Sequence, residues 1–302
     1  MGFITPAAVE SGDAIAVVAP SSPFDPEDFA RGIAWLRERY DVRFDPGVLT
    51  RTFYLAGDDA RRGGELARAM VDPSVKAIVA ARGGYGAMRI LDALPWDAWA
   101  ARPSWIVGFS DITALHAVAC ARGIASIHAP HVTGLGAPEE RGVARLRDAF
   151  QLALQEPRAA RAWRDLRVIH EGLGVAVEGP IVGGNLAMIE AMAAAGRLVW
   201  PRGAILLLED VTERPYRLDR MLTSLALGGH LAHLEAIVLG DFFKCEPGPD
   251  GATFEQVLAD CTRGLGIPVL GGAPFGHDDT NDAFVLGAPA RIDGRTLFFE
   301  KA

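Results

Sequence analysis

Apolar positions in the first half of this chain fall into short continuous runs separated by helical stripes. Ala14 to Ala19 is an unbroken apolar run closed by Pro20-Ser21-Ser22-Pro23, the pattern of a strand buried on both faces. A helix is expected from Glu27 to Tyr40 and a short strand from Val42 to Phe44. Asp58 to Val71 reads as a second helix, with Leu66, Ala69 and Met70 on its apolar side. Val75 to Ala80 and Trp105 to Gly108 repeat the buried-strand pattern, and Ile112 to Ala119 continues as an apolar helix. Strands alternating with helices predict an α/β fold with a parallel sheet covered on both faces. Ligands in such sheets gather at the carboxyl ends of the strands. Two glycine-bearing loops fall there: Arg82-Gly83-Gly84-Tyr85-Gly86 and Gly108-Phe109-Ser110-Asp111.

From Pro138 to about Arg167 the chain is charged and helical, interrupted at Pro157-Arg158, as a connection would be. The expected division is an N-terminal domain over 1–150, a linker over 151–167 and a second domain over 168–302. The second half mixes strands with shorter helices. Val175 to Val182, Ala204 to Leu208, Ala236 to Leu239, Pro268 to Leu270 and Ala290 to Ile292 are strand candidates. Helices are expected from Asn185 to Ala195 and from Pro215 to Gly228, the latter with proline at its start and glycine at its end.

Composition narrows the partners. The 302 residues carry a formal net charge of -8, which disfavours a polyphosphate partner. No apolar run approaches the roughly 20 residues that span a bilayer. The N-terminus lacks a basic, then apolar, leader pattern, so a cytoplasmic location with no membrane partner is expected. Three scattered cysteines, Cys120, Cys245 and Cys261, read as reduced core thiols.

Ser110 carries the sharpest chemical signal. A serine at a strand-to-helix turn is lifted clear of the sheet edge, with an oxyanion donor one residue on. The match to G-x-S-x-G is incomplete, since position 112 is Ile112, and a serine N-cap fits the same place. A nucleophilic serine needs a base. His116 points away on the same helix and reads as a core residue. His170, His230 and His233 read as surface residues. His128 and His131 form H-x-x-H without the partners of a zinc site, so no metal is expected. His277 lies in the polar loop Pro274 to Asn281 after an apolar strand, where an imidazole can shuttle a proton. Glu209 closes the run Ala204 to Leu208 and is the choice to orient the imidazole, with Asp241 in reserve. Asp111 N–H and a glycine amide, Gly83 or Gly84, are the oxyanion-donor candidates. The Gly83 loop also reads, less well, as a phosphate cradle, because the G-x-G-x-x-G spacing is missing. A pure binding module is the alternative from outside enzymology.

Five segments together resemble the LD-carboxypeptidase family of serine peptidases. They are Tyr54 to Gly57, Ala81 to Ala87, Gly108 to Asp111, Leu208 to Val211 running on through Pro215 to Leu222, and the Gly276-His277 loop. The resemblance implies a flavodoxin-like parallel-sheet N-terminal domain, a smaller mixed β/α C-terminal domain, and a site in the groove between them. It implies a triad of Ser110, His277 and Glu209; with Gly84 and Asp111 taken by position as the oxyanion donors, the reaction calls for no cofactor. Arg82, Gly83 and Asn185 are the candidates for substrate contact. The implied substrate is a murein tetrapeptide, cut between an L-centre of diaminopimelate or lysine and terminal D-alanine, by a cytoplasmic homodimer. A related branch resembles microcin-immunity proteins that hydrolyse acyl-sulfamoyl-adenylates. The acidic run Asp278-Asp279 after the histidine departs from the family pattern and bears on substrate preference.

Overall fold

The computed structural model describes residues 2–172 and 176–300, and the chain divides into two compact units. The first takes in Met1–Pro157 and, from much later in the chain, Asp282–Val285. The second takes in Arg158–Asn281 and Leu286–Ala302.

In the first unit β1 (Ala14–Val18) leads to α1 (Pro26–Arg37) and β2 (Asp41–Arg43). Then come α2 (Asp59–Val71), β3 (Val75–Ala80), α3 (Ala87–Ile90) and α4 (Trp96–Ala101). β4 (Trp105–Gly108), α5 (Thr113–Ala121), β5 (Ser126–His128), α6 (Val132–Leu135) and α7 (Val143–Gln155) follow. The two long early helices start where their sequence dictates. Asp25 caps α1 ahead of Pro26, and the Asp58 carboxylate accepts from Arg61 N at 2.8 Å to cap α2. β2, β1, β3, β4 and β5 pair in that order, all parallel, which is the flavodoxin-like arrangement. Ile15, Val17, Ile78, Val79 and Val107 are buried in the sheet.

In the second unit β6 (Arg161–Trp163), β7 (Arg167–His170) and β8 (Val177–Asn185) precede α8 (Leu186–Ala194). β9 (Ala204–Val211), α9 (Pro215–Leu227), β10 (Leu234–Phe243), α10 (Phe254–Thr262) and β11 (Val269–Gly271) follow. The chain then supplies β12 (Phe284–Leu286), which joins the first sheet beside β5, before β13 (Pro289–Asp293) and β14 (Thr296–Phe299). The second sheet runs β6-β14-β13-β8-β9-β10-β11-β7, with β8 to β11 parallel and the flanking pairs antiparallel. A parallel centre with antiparallel margins is the mixed β/α architecture expected.

Some expectations meet different local structure. Residues 151–167, read as a connection, hold the end of α7, strand β6 and the start of β7. Such a short, partly solvated strand as Arg161-Ala162-Trp163 carries little apolar periodicity to announce it. Val175, at the start of the expected strand Val175 to Val182, lies outside the described residues, as do Met1, Lys301 and Ala302 at the ends of the expected domains. Among the described residues no helix is long and apolar enough to cross a membrane.

Candidate active site

Strand β4 ends in Gly108 at φ +154°, where a Cβ would stand 2.9 Å from Ile112 Cγ1. Two residues on, Ser110 takes φ +59°, a left-handed conformation that costs a non-glycine residue about 1–2 kcal/mol. It opens a tight 3₁₀ turn, Ser110–Ile112, that runs directly into α5. Phe109 and Ile112 occupy the two N-cap positions, so Ser110 is not the helix cap.

Two histidines brace this turn. His116 is fully buried and held neutral by burial, its pKa lowered to about 4, so the Nε2–H donates to Gly108 O at 2.9 Å. His131 stacks on Phe109 with ring centroids 4.4 Å apart, and its Nε2 lies 3.0 Å from Phe109 O.

The Gly83 loop closes against Ser110. A Cβ on Gly83 would lie 3.0 Å from Ser110 Cβ and 2.9 Å from His131 Cε1, so only glycine fits without displacement. Gly84 has φ +103° and faces the Ser22 side chain. Ser22 N donates to Gly83 O at 3.2 Å and Tyr85 N donates to Ser22 Oγ at 3.1 Å, zipping this loop to the one after β1. Arg82 is exposed and donates to Pro23 O at 2.6 Å. The Asp111 carboxylate is buried and turned inward, accepting from Ser21 Oγ at 2.5 Å and Ala87 N at 2.8 Å. Burial raises its pKa, opposed by those hydrogen bonds.

In the second unit Glu209 and His277 meet. Glu209 Oε2 lies 2.5 Å from His277 Nδ1, a charge-assisted contact, and the glutamate is completely buried. Its Oε1 has no hydrogen-bond partner among the described residues. The histidine loop is pinned to a bulge in β10, where Asp241 N donates to Phe275 O at 2.8 Å. Phe275 is buried and stacked on Trp163 at 5.5 Å. Gly276 sits at φ +141° with Asp241 so close that a Cβ would lie 2.9 Å from Asp241 Cβ.

Burial pushes the His277 pKa down, but the charge and hydrogen bond of Glu209, backed by Asp210 and Asp241, outweigh it and leave the pKa raised. The neighbouring carboxylates respond in the opposite sense of charge. Asp210 rises to about 7 through burial and then the Glu209 charge. Asp241 is raised by burial, Asp278 and Glu209. Asn185 is buried, caps α8 through Met188 N and donates to Asp210 Oδ1 at 3.1 Å.

Two family models match the chain across these features. The LD-carboxypeptidase N-terminal domain matches residues 15–129, and the LD-carboxypeptidase C-terminal domain matches residues 178–292. The murein tetrapeptide carboxypeptidase of Pseudomonas aeruginosa is 34% identical over 295 residues, 94% of this chain and 94% of that protein. The chain belongs to the LD-carboxypeptidase family. Among solved structures, the muramoyltetrapeptide carboxypeptidase from Oxalobacter formigenes superposes with a TM-score of 0.82 at 30% identity, covering 95% of this chain and 98% of that one. The microcin C7 self-immunity protein MccF, solved with aspartyl sulfamoyl adenosine, shares the fold with a TM-score of 0.88 at 22% identity, covering 99% of each chain. The N-terminal LD-carboxypeptidase match spans Arg82, Gly83, Gly84, Ser110 and Asp111, and the C-terminal one spans Asn185, Glu209 and His277.

Two residues that pack on Ser110 or on the loops beside it carry no sequence reading as parts of this site. His131 read only as half of H-x-x-H, whereas it packs beside Gly83 and Phe109. Arg62, fully buried on α2, donates to the carbonyls of Pro20 and Gly86. It occupies the same helical stripe as Leu66, Ala69 and Met70, and a charge inside an apolar stripe was the signal available.

Proposed function

We propose that this chain is a serine LD-carboxypeptidase that removes terminal D-alanine from murein tetrapeptides, at the bond following an L-centre of diaminopimelate or lysine. The observation that carries it is the 2.5 Å contact from fully buried Glu209 to His277 Nδ1. A carboxylate on Nδ1 fixes the tautomer and stabilises the imidazolium, which leaves proton transfer to Nε2. The positive φ of Ser110 and the close approach of Gly83 support the nucleophile assignment. So does kinship to a protein named murein tetrapeptide carboxypeptidase.

In this reaction His277 takes the Ser110 proton as Oγ attacks the scissile carbonyl carbon. The amides of Asp111 and Gly84 hold the tetrahedral oxyanion. His277 then gives its proton to the departing D-alanine amine, and water hydrolyses the acyl-enzyme by the same exchange. Arg82 and Gly83 line the substrate. Asn185, with its amide on Asp210, acts through the carboxylates behind the imidazole. On the family pattern the enzyme is a cytoplasmic homodimer.

Mass spectrometry of L-Ala-γ-D-Glu-diaminopimelate-D-Ala incubated with wild type and with Ser110→Ala tests the proposal. Release of D-alanine by wild type alone is the expected result. Equal release by both proteins overturns the nucleophile. Release by neither overturns the substrate, and an aminoacyl-sulfamoyl-adenylate is then the compound to offer.

A further inference from the structure

Helix α2 directs an unusual set of charges inward. Arg62 has no exposed surface at all, and Glu65 is 6% exposed. Their partners are backbone groups of the loops that surround Ser110. Glu65 Oε2 accepts from Ala19 N at 2.9 Å, and Arg61 donates to Ala19 O at 2.6 Å. Arg62 Nη1 donates both to Pro20 O and, at 2.9 Å, to Gly86 O, while its Nη2 bonds Asp59. One guanidinium therefore ties the loop after β1 to the loop after β3.

Asp111 does the same from the opposite side. Its Oδ2 holds Ser21 Oγ at 2.5 Å on the first loop and Ala87 N at 2.8 Å just past the second. Gly83 and Gly84 lie two to three residues ahead of the clamped Gly86, with Gly83 against Ser110 and Gly84 against Ser22. Gly86, at φ +134°, has room for no side chain, because a Cβ would lie 2.6 Å from Arg62 Nη1. Burying an arginine is unfavourable unless its donors are satisfied, and here both Nη1 donors go to carbonyls whose positions they thereby fix, while Nη2 goes to Asp59. A helix seeking only to pack would carry an aliphatic residue at this point in its apolar stripe.

We propose that Arg62 and Asp111 are positioning residues that clamp residues 83–86 against Ser110 and set the Gly84 amide for the oxyanion. This rests on the assignment of Ser110 as nucleophile and Gly84 as donor. An oxyanion donor acts in the transition state more than in the ground state, so misplacing it lowers turnover and leaves substrate binding nearly untouched.

The test is steady-state D-alanine release by the full chain carrying Arg62→Lys, Arg62→Ala, Asp111→Asn or Ser110→Ala, with circular-dichroism melting of each. Arg62→Lys keeps the charge but loses the two-armed fork. It is expected to lower kcat by about 10²-fold, the scale of a misplaced reacting geometry, with KM changed less than about threefold. Asp111→Asn, which still accepts hydrogen bonds, is expected to lose about tenfold on the same scale. Millimolar guanidinium is expected to restore part of the kcat of Arg62→Ala, which a loss of bulk packing does not allow. Wild-type kcat in Arg62→Lys and Asp111→Asn beside an inactive Ser110→Ala overturns the clamp and spares the nucleophile. A loss that follows melting temperature, or that falls on KM alone, also overturns it. Full activity of Ser110→Ala overturns the underlying assignment instead.

Discussion

The surroundings of Ser110 and those of His277 are held in shape by different physics. Directly against Ser110 the determinants are steric: a left-handed serine, glycines with no room for a Cβ, and a neutral His116 against Gly108, with the charges of Arg62 and Asp111 acting one layer out on the loops. Around His277 they are electrostatic: a buried glutamate on Nδ1, with Asp210 and Asp241 contributing charge behind it. Steric positioning is indifferent to pH, whereas charge positioning is not. Substitutions in the two regions should therefore differ in kind, and a pH profile separates them.

Ser110→Ala removes the proposed nucleophile and should lower turnover by roughly 10⁶ at every pH. Glu209→Gln should lower kcat by roughly 10⁴, by the logic of a triad that loses its carboxylate. It should also move the profile. His277 must be neutral to accept a proton, so wild-type kcat/KM should rise through an inflection above the ordinary histidine value of about 6.5. Without the Glu209 charge, burial is opposed only by the charges of Asp210 and Asp241, and the inflection should fall. An unshifted inflection would remove Glu209 from the electrostatic account.

Gly83→Ala is the steric counterpart. The added methyl meets Ser110 Cβ at 3.0 Å, and a loss of about 10²-fold is expected with the inflection unmoved. A shifted inflection would show that the contrast between the regions is false.

The smallest effect concerns stability. Asp210 has its pKa raised to about 7, so between the unfolded carboxylate range and 7 the folded state binds more protons than the unfolded state. Its contribution is present at low pH and lost as pH rises through about 7; the raised pKa of His277 acts in the same direction, from about 6.5 upward. Asp210→Asn should flatten that decline and raise stability at pH 8 by about 1–3 kcal/mol, measured by urea unfolding across pH. An unchanged slope would place the titration elsewhere.

The central strands were legible because each is an apolar run in a chain whose remaining segments are striped. Glu209 was legible for a related reason, as a carboxylate closing such a run. β12 was not, since three residues from a loop-rich segment carry no period. Nor was Arg62, because which neighbours satisfy a charge on an apolar stripe is decided by loops distant in sequence. His131 was illegible for the same reason: set aside as a metal ligand for want of partners, its H-x-x-H spacing gives no sign that the ring packs on Phe109. Local pattern reports burial well and reports partners poorly.

Strand β12 has a consequence for how the protein is made. Phe284 and Val285 belong to the first unit, where His128 stacks on Phe284 at 4.5 Å and Arg145 forms a paired bond to Asp282 at 2.9 and 3.0 Å. The ribosome delivers the rest of that unit by Pro157 and its last strand more than a hundred residues later. During that interval the edge of β5 is an open template for pairing, the kind of surface that invites aggregation. A fragment ended at residue 157 keeps that edge permanently, so this enzyme is poorly suited to being divided between its two units.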